Sequence, residues 1–468
     1  MYIVGQEETV GESSVSSGCW GEDSNHEYGW ARRTPTYVAP IRFSKNPILN
    51  IYKSTANLIS PAVLESRKLD SRLEAGRLLI QMQRQVISLR QESRQSEINI
   101  GYGIRRNLKQ LVSRAFGQIP GKIILISNER VYRLYGLEVM ADLKTADTKV
   151  FRWLMPEGER YKSFRTFETA LNTIADLGLE RNDLVIALGG GVVGDLAGFS
   201  ASTYLRGIRL LQMPTTLLAQ IDSSIGGKTA INLAAGKNLV GTFYQPDAVC
   251  IDTETLASLP ARELVSGFCE MVKQSLVASR ELFDQTVGIL QDYNQDKSIL
   301  STPGFEKLIT AHCMFKASIV ANDERESTER TDSKSRRILN FGHTTAHALE
   351  KVTNYRYFRH GEAVGYGMLV AGEISKHLGL LSPSKLDLLR EAVHLCGHLP
   401  STEKLDLAEI KEALKFDKKS VRGQINWVLL DDIGSPRIIE GQQISKKVLN
   451  LSLSEGLGIA RRQRERSH

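Results

Sequence analysis

Residues 184–191 read Leu-Val-Ile-Ala-Leu-Gly-Gly-Gly. An unbroken apolar run of this length has no polar face to offer water, so it predicts a strand buried on both sides. Such a strand needs helices over both faces, which points to a parallel sheet in an α/β domain. The run ends in glycines, and Gly189, Gly191 and Gly194 keep the G-x-G-x-x-G spacing ahead of a helix-forming stretch. Glycines at this turn let the backbone approach a pyrophosphate, and the helix N-terminus favours its charge. The arrangement differs from the usual dinucleotide fingerprint. The strand is not the first of its domain, and no acidic residue stands at a second strand end about twenty residues on. A nucleotide bound here requires a different domain plan.

The flanking sequence supports the same fold class. KIILISN (122–128) and VFRWLMP (150–156) read as strands, and residues 164–177 as a helix. Past about Leu256 the spacing turns helical, over 261–279, 305–322, 341–352, 362–378, 383–396 and 407–415, with one late strand at 424–432. The expected architecture is an α/β N-terminal domain (97–256) followed by a mainly α-helical C-terminal domain (257–468). The active site belongs in the cleft between them. Residues 1–96 read as an N-terminal extension. To about residue 60 it is rich in Ser, Gly, Asn, Glu and Pro without sustained periodicity, which predicts disorder. From Pro61 to about Gln95, Leu69, Leu73, Ile80, Val86 and Leu89 recur at helical spacing, which predicts one long amphipathic helix.

Composition narrows the function classes. No apolar run approaches the ~20 residues that span a bilayer. Residues 1–30 carry six acidic residues and no Lys or Arg, unlike a signal or transit peptide. The cysteines (Cys19, Cys250, Cys269, Cys313, Cys396) are odd in number and widely spaced, which suits a reducing cytoplasm rather than a disulfide framework. A net charge of +7 without a basic stripe interleaved with aromatics argues against nucleic acid and leaves room for a basic pocket that takes a small anion.

A second glycine stretch, Asp222-Ser223-Ser224-Ile225-Gly226-Gly227-Lys228-Thr229, ends like a P-loop. That motif needs glycine five residues before Gly227, where Asp222 stands, so triphosphate hydrolysis is rejected. What remains is a loop of backbone donors, hydroxyls and Lys228. With Arg206 upstream and Lys237 and Asn238 downstream, it reads as a contact surface for phosphate or carboxylate.

Residues 336–362, RRILNFGHTTAHALEKVTNYRYFRHGE, concentrate His343, His347 and His360. His343 and His347 are four residues apart, on one face of a helix. Glu270 lies in ELVSGFCEMVKQSLV, a helix whose buried side is marked by Leu264, Phe268, Val272 and Leu276. A carboxylate in that setting is paired with a cation, for which Lys273 is available, or binds a metal. With two of the histidines, Glu270 makes an open site of the kind a catalytic zinc uses. The spacing does not choose between His343 with His347 and His343 with His360.

From about residue 98 to 450 the chain resembles the 3-dehydroquinate synthase family. The resemblance rests on PEGERYKS (156–163), GGGVVGDLAGFSASTYLRG (189–207), MPTTLLAQIDSSIGGKTAIN (213–232), GKNLVGTFYQP (236–246), LPARELVSGFCEMVK (259–273), KASIVANDERE (316–326), LNFGHTTAHALE (339–350) and RHGEAVGYGM (359–368), in order. It implies that Glu270, His343 and His360 hold one divalent metal, zinc or cobalt, and that His347 is a site histidine but no ligand. It implies an NAD site at Glu159, Lys162, Gly190, Gly191, Val192, Asp195, Thr215, Thr216 and Ser258, with Asp222, Lys228 and Lys237 beside it. Ser258 stands where threonine is expected and keeps the hydroxyl. Substrate-binding or catalytic positions fall on Arg206, Asp222, Lys228, Lys237, Asn238, Lys273, Lys316, Arg336, Asn340 and His347, and on a lysine of the FDKKS segment, Lys418 in preference to Lys419.

The activity implied is that of a phosphate-eliminating carbon–oxygen lyase of the shikimate pathway to chorismate and the aromatic amino acids. Such an enzyme converts 3-deoxy-D-arabino-heptulosonate 7-phosphate to 3-dehydroquinate and phosphate. NAD is transiently reduced, phosphate leaves, the hydride returns, and an intramolecular aldol step closes the ring. The resemblance also implies a cytoplasmic homodimer. Two departures stand out. STERTDSKS (327–335) is longer than the family's turn and abuts Arg336, and Ala346 replaces a common glycine. Competing readings are another sugar-phosphate cyclase acting on sedoheptulose 7-phosphate or glucose 6-phosphate, a metal-dependent polyol dehydrogenase, or an interaction protein working through residues 61–95. Lys228, Lys237, Asn238, Asn340 and His347 favour a substrate that bears a carboxylate.

Overall fold

Consecutive residues of each central strand feed two different apolar layers. In KIILISN, Ile123 and Leu125 join one buried cluster and Ile124 and Ile126 another. The same alternation divides Leu184, Ile186 and Leu188 from Val185 and Ala187, as the two-residue period of a strand requires. In this computed structural model, which describes residues 85–90, 95–415 and 426–459, the strands in chain order are β1 (Gln85–Arg90), β2 (Gln95–Gly101), β3 (Lys122–Asn128), β4 (Lys149–Met155), β5 (Leu184–Gly189), β6 (Arg209–Pro214), β7 (Lys228–Leu233), β8 (Gly236–Phe243), β9 (Ala248–Asp252), β10 (Asn426–Asp432) and β11 (Ser435–Glu440). Seven form one sheet in the order β1-β2-β9-β6-β5-β3-β4. All its pairings are parallel except β1 with β2. Helices α1 (Leu108–Phe116) and α2 (Leu137–Leu143) cover one face. Helices α3 (Phe164–Asp176) and α4 (Gly191–Thr203) cover the other.

The second half is built on α5 (Ala261–Ala278), whose residues from Ser266 to Val277 are all buried. Around it lie α6 (Arg280–Gln295), α7 (Pro303–Asn322), α8 (His343–Val352), α9 (His360–His377), α10 (Pro383–Leu395), α11 (Leu407–Lys415) and α12 (Lys446–Gly456). Local chemistry sets the breaks. Ser279 adopts an extended backbone between α5 and α6 and accepts from Leu282 N, so its backbone ends one helix and its hydroxyl caps the next. Thr302 caps α7, and Pro303 takes the first position, where its missing N–H costs nothing. One continuous apolar core joins α5 to Leu217, Ile221, Val249 and Ile251 of the sheet half. No helix among the described residues is long and apolar enough to cross a membrane.

Two sequence expectations need correction. Residues 85–90, read as the end of a long helix, form the antiparallel edge strand β1, because pairing with β2 outweighs a spacing that also fits a helix. The other residues from 61 to 94, and the segment to residue 60, lie outside the described residues. The stretch after Gly227, read as a loop, is largely the β7–β8 hairpin. Gly226 (φ +102°) and Gly227 (φ +65°) turn the chain into it through left-handed backbone that side chains disfavour. Helices α1, α2, α6 and α12 and strands β2, β6, β9 and β11 have no counterpart in the sequence expectations.

Candidate active site

Two glycine contacts set how the helices of the second half meet. At Gly361, on the first turn of α9, an added Cβ would lie 1.9 Å from the carbonyl oxygen of Ser266 on α5. At Gly367, two turns on, it would lie 1.8 Å from the carbonyl of Gly342. Gly342 itself has φ +77° and begins α8. The backbones of α5, α8 and α9 therefore touch directly, and each helix brings one side chain to the contact. Glu270 is fully buried, and its Oε1 lies 3.6 Å from His360 Nε2 and 3.9 Å from His343 Nε2. The candidate donor atoms of the three all lie within 4.8 Å of one another.

The donor set suits a cation. His343 Nδ1 lies 3.2 Å from the Phe341 carbonyl, which turns Nε2 toward Glu270 as a lone-pair donor. Lys273 Nζ lies 2.8 Å from Glu270 Oε2 and donates to the Leu339 carbonyl at 3.0 Å. Neither Glu270 oxygen accepts a well-directed hydrogen bond, a costly state for a buried carboxylate that a bound cation would relieve. His347 is one turn further along α8, its ring 5.7 Å from that of His343 and 6.4 Å from that of His360, outside the close set. A second acidic group, Glu373, His377 and Glu455, is already balanced by Lys376 and Arg390.

The glycine turn lies at the carboxyl ends of the parallel strands, where open α/β sheets bind ligands. Gly189 ends β5, and its carbonyl accepts from Thr215 N at 2.9 Å. A Cβ on Gly190 would come within 3.0 Å of Thr216, and one on Gly191 within 3.0 Å of Ser223 Oγ. Lys162 is buried, with Nζ 2.7 Å from Asp195 Oδ2, 2.5 Å from Asn238 Oδ1 and 3.4 Å from Glu159 Oε1. Burial works against its charge, but Asp195 and Glu159 outweigh it and raise its pKa. Ser258 Oγ shares a 2.5 Å hydrogen bond with the Tyr135 hydroxyl.

Cations gather opposite this turn, and each has a carboxylate or carbonyl partner. Lys316 pairs with Asp222, toward which Gln274 Nε2 also points at 3.4 Å. Lys228 pairs with Glu326, whose other oxygen accepts from Asn340 Nδ2 at 2.6 Å. Lys237 Nζ lies 3.0 Å from Glu350 Oε1. Arg336 is buried and donates to the Glu324 carbonyl at 2.7 Å. Burial pushes the Lys316 ammonium down to about 8, against the pull of Asp222 and with the help of Arg336. Burial and then Arg336 lower Lys228, while Lys316 and Lys273 together hold Asp222 low in spite of its burial. Asp323 holds the ends of the long segment 327–335 together, accepting from Ser327 N and Arg336 N, both at 2.8 Å, and none of the segment's residues lines the cavity.

One cavity of about 1270 Å³ opens onto all of this: Glu159, Lys162, Gly190, Gly191, Val192, Asp195, Thr215, Thr216 and Ser258 on the nucleotide side, Asp222, Lys228, Lys237, Asn238, Lys273, Lys316, Arg336 and Asn340 among the polar and cationic groups, and His343, His347 and His360 at the helices. Glu270 lies beneath its wall. Arg206 does not line the cavity. It is exposed just past α4, with φ +63°. Lys418 lies outside the described residues. Two lining carboxylates that pair with site lysines were missed from sequence. Glu326 closes the matched segment KASIVANDERE, and Glu350 falls seven residues after His343 on the same helix face, a periodicity that could have exposed it.

Sequence profiles of the 3-dehydroquinate synthase N-terminal and C-terminal regions match residues 152–266 and 267–420. The chain is 41% identical over 339 residues to a 3-dehydroquinate synthase of Thermodesulfovibrio yellowstonii, covering 71% of this chain and 90% of that one. It is 40% identical over 336 residues to the enzyme of the same name from Rippkaea orientalis, covering 70% and 87%. Among solved structures, a 2-deoxy-scyllo-inosose synthase complexed with carbaglucose-6-phosphate, NAD+ and Co2+ superposes with a TM-score of 0.69 at 25% identity, over 80% of this chain and 100% of that one. A 2-epi-5-epi-valiolone synthase from Streptomyces hygroscopicus with NAD+ and Zn2+ bound gives 0.67 at 26% identity, over 81% and 99%.

Proposed function

We propose that this chain, which belongs to the 3-dehydroquinate synthase family, converts 3-deoxy-D-arabino-heptulosonate 7-phosphate to 3-dehydroquinate and phosphate. The observation that carries the reading is convergence. A glycine turn suited to a dinucleotide, a Glu–His–His set whose two histidines line the wall, and a field of lysines and arginine meet at one cavity. Bound NAD would supply a hydride acceptor that later returns its hydride, and a zinc or cobalt ion at Glu270, His343 and His360 would supply a Lewis acid for the alcohol being oxidised.

The chain's own residues do the positioning. The Gly190–Val192 turn presents backbone N–H groups to the pyrophosphate, and Lys162 holds Asp195, Glu159 and Asn238 in one network beside it. Lys228, Arg336, Asn340 and His347 receive the carboxylate and phosphate of the substrate, and Asp222, Lys273 and Lys316 hold its hydroxyls. The departing phosphate can take up the acidified C–H proton, so no dedicated strong base is required of the protein. Fixing one substrate conformer through oxidation, elimination and ring closure is the main catalytic task.

The test is phosphate release by the purified protein with NAD and a divalent metal, run on the heptulosonate phosphate, sedoheptulose 7-phosphate and glucose 6-phosphate. Turnover of the first alone is expected. Turnover confined to sedoheptulose 7-phosphate would overturn the substrate assignment.

A further inference from the structure

Glu350 is 3% exposed yet charged, and the reaction steps leave it without a part. Its two oxygens face in different directions. Oε2 lies 3.5 Å from Nδ1 of His360, the nitrogen on the far side of that ring from Glu270. Oε1 lies 3.0 Å from Lys237 Nζ, near the start of β8. That ammonium is in turn 4.5 Å from the centre of the Tyr355 ring. Tyr355 N donates to the Glu350 carbonyl at 2.7 Å, and both Asn354 (φ 51°) and Tyr355 (φ 57°) take left-handed backbone to make this turn. Backbone of that kind is disfavoured at a non-glycine residue and persists only where its surroundings hold it.

Ser266 and the helix backbones fix where the His360 backbone lies, but not how its ring is turned. The ring is half-buried, and Glu350 is the carboxylate at its Nδ1. A histidine ligand whose second nitrogen donates to a carboxylate is held in one tautomer and one orientation, and losing such a partner costs 10–100-fold in metal affinity. We propose that Glu350 is a positioning residue that orients His360 as a metal ligand and, by sharing its carboxylate with Lys237, ties the β7–β8 hairpin to the metal site. This rests on the metal site of the proposed function. Position, rather than negative charge alone, is the essence of the role. A shorter carboxylate on the same helix cannot reach Nδ1, and should fail as an amide does.

The experiment is cobalt binding by the full chain, with affinity and dissociation rate measured against a chromogenic chelator and the visible spectrum of bound Co2+ recorded. Glu350→Gln and Glu350→Asp are both expected to lose at least tenfold in affinity and to shift the cobalt bands. Lys237→Met is expected to hold cobalt at least as tightly as the unmodified chain, because the carboxylate then serves His360 alone. If Glu350→Asp binds cobalt normally while Glu350→Gln does not, the effect is one of charge and the positioning role is refuted. If Glu350→Gln fails to fold, Glu350→Asp alone decides. Normal affinity and an unchanged spectrum in either variant overturn the proposal and leave the metal site standing. An unmodified chain that binds no cobalt sinks both.

Discussion

His312, on α7, is fully buried and offers a direct thermodynamic test of the core behind the site. Its Nδ1 lies 3.1 Å from Gln274 Oε1 and its Nε2 3.2 Å from Thr286 Oγ1. Burial, with the charge of Lys273 behind it, pushes the ring from 6.5 down to about 3. The neutral ring donates from Nδ1 to Gln274, and its Nε2 faces a Thr286 hydroxyl that already donates to the Leu282 carbonyl at 2.7 Å. Because the folded pKa is depressed, the unfolded chain takes up a proton near 6.5 that the folded chain refuses until about 3. The contribution is therefore present above pH 6.5 and is lost as pH falls below it, at about 1.4 kcal/mol per pH unit. By pH 4.5 that amounts to about 2–3 kcal/mol relative to neutral pH. Replacing His312 by Gln sacrifices packing and hydrogen bonding worth about 1–3 kcal/mol at pH 7.5. At pH 4.5 the variant no longer suffers the protonation penalty, so the deficit should vanish or reverse. Urea unfolding of both proteins at the two pH values, followed by tryptophan fluorescence with the same chelator in every sample, reads the difference directly. An equal deficit at both pH values would refute the reasoning. It would mean that the ring is already an imidazolium in the fold, donating to Gln274 and Thr286 alike.

Three further outcomes are expected. Gly361→Ala puts a methyl group against the Ser266 carbonyl, so α5 and α9 must part, at a cost on the order of 1–3 kcal/mol and with loss of bound metal. Unchanged melting temperature and metal content would contradict the backbone contact. Lys316, at about 8, loses its charge as pH rises, so kcat/KM should fall on the alkaline side near pH 8. In Lys316→Arg that limb should move upward, because guanidinium keeps its charge, and a limb that stays in place would assign it to another group. His360→Ala should lose metal and activity together, and full metal content by elemental analysis would remove His360 from the ligand set.

What could be read from sequence followed the strength of local signals. KIILISN is bounded by polar residues, and it became β3 with the same ends. LVIALGGG carried its own strand end and helix start. The β7–β8 hairpin was hidden because glycines and alanines blur its alternation, and β1 because Val86 and Leu89 also suit a helix until β2 pairs with the segment. The histidine spacing alone drew attention to His343 and His347. The choice of His360 depends on where Gly361 and Gly367 let α9 approach, a tertiary fact with no local signature. Glu326 and Glu350 escaped notice because a lone glutamate on a helix or turn is most often a solvated one. Arg206 matched a motif yet lies outside the cavity, so matching residues need not share a pocket.

Each site lysine discussed above is matched to an acidic side chain of the same chain: Lys228 to Glu326, Lys237 to Glu350, Lys316 to Asp222 and Lys273 to Glu270. Apart from Arg336, which donates to a carbonyl, an incoming anion therefore meets cations that already face carboxylates. It must take over cations already engaged, so binding is an ion exchange whose free energy is a difference between two sets of pairings. The cavity should collect stray phosphate or carboxylate poorly, and added salt should weaken its ligand less than a count of lysines suggests. Selectivity then comes from fitting several such exchanges at once, which a small anion cannot do and a sugar bearing both a carboxylate and a phosphate can.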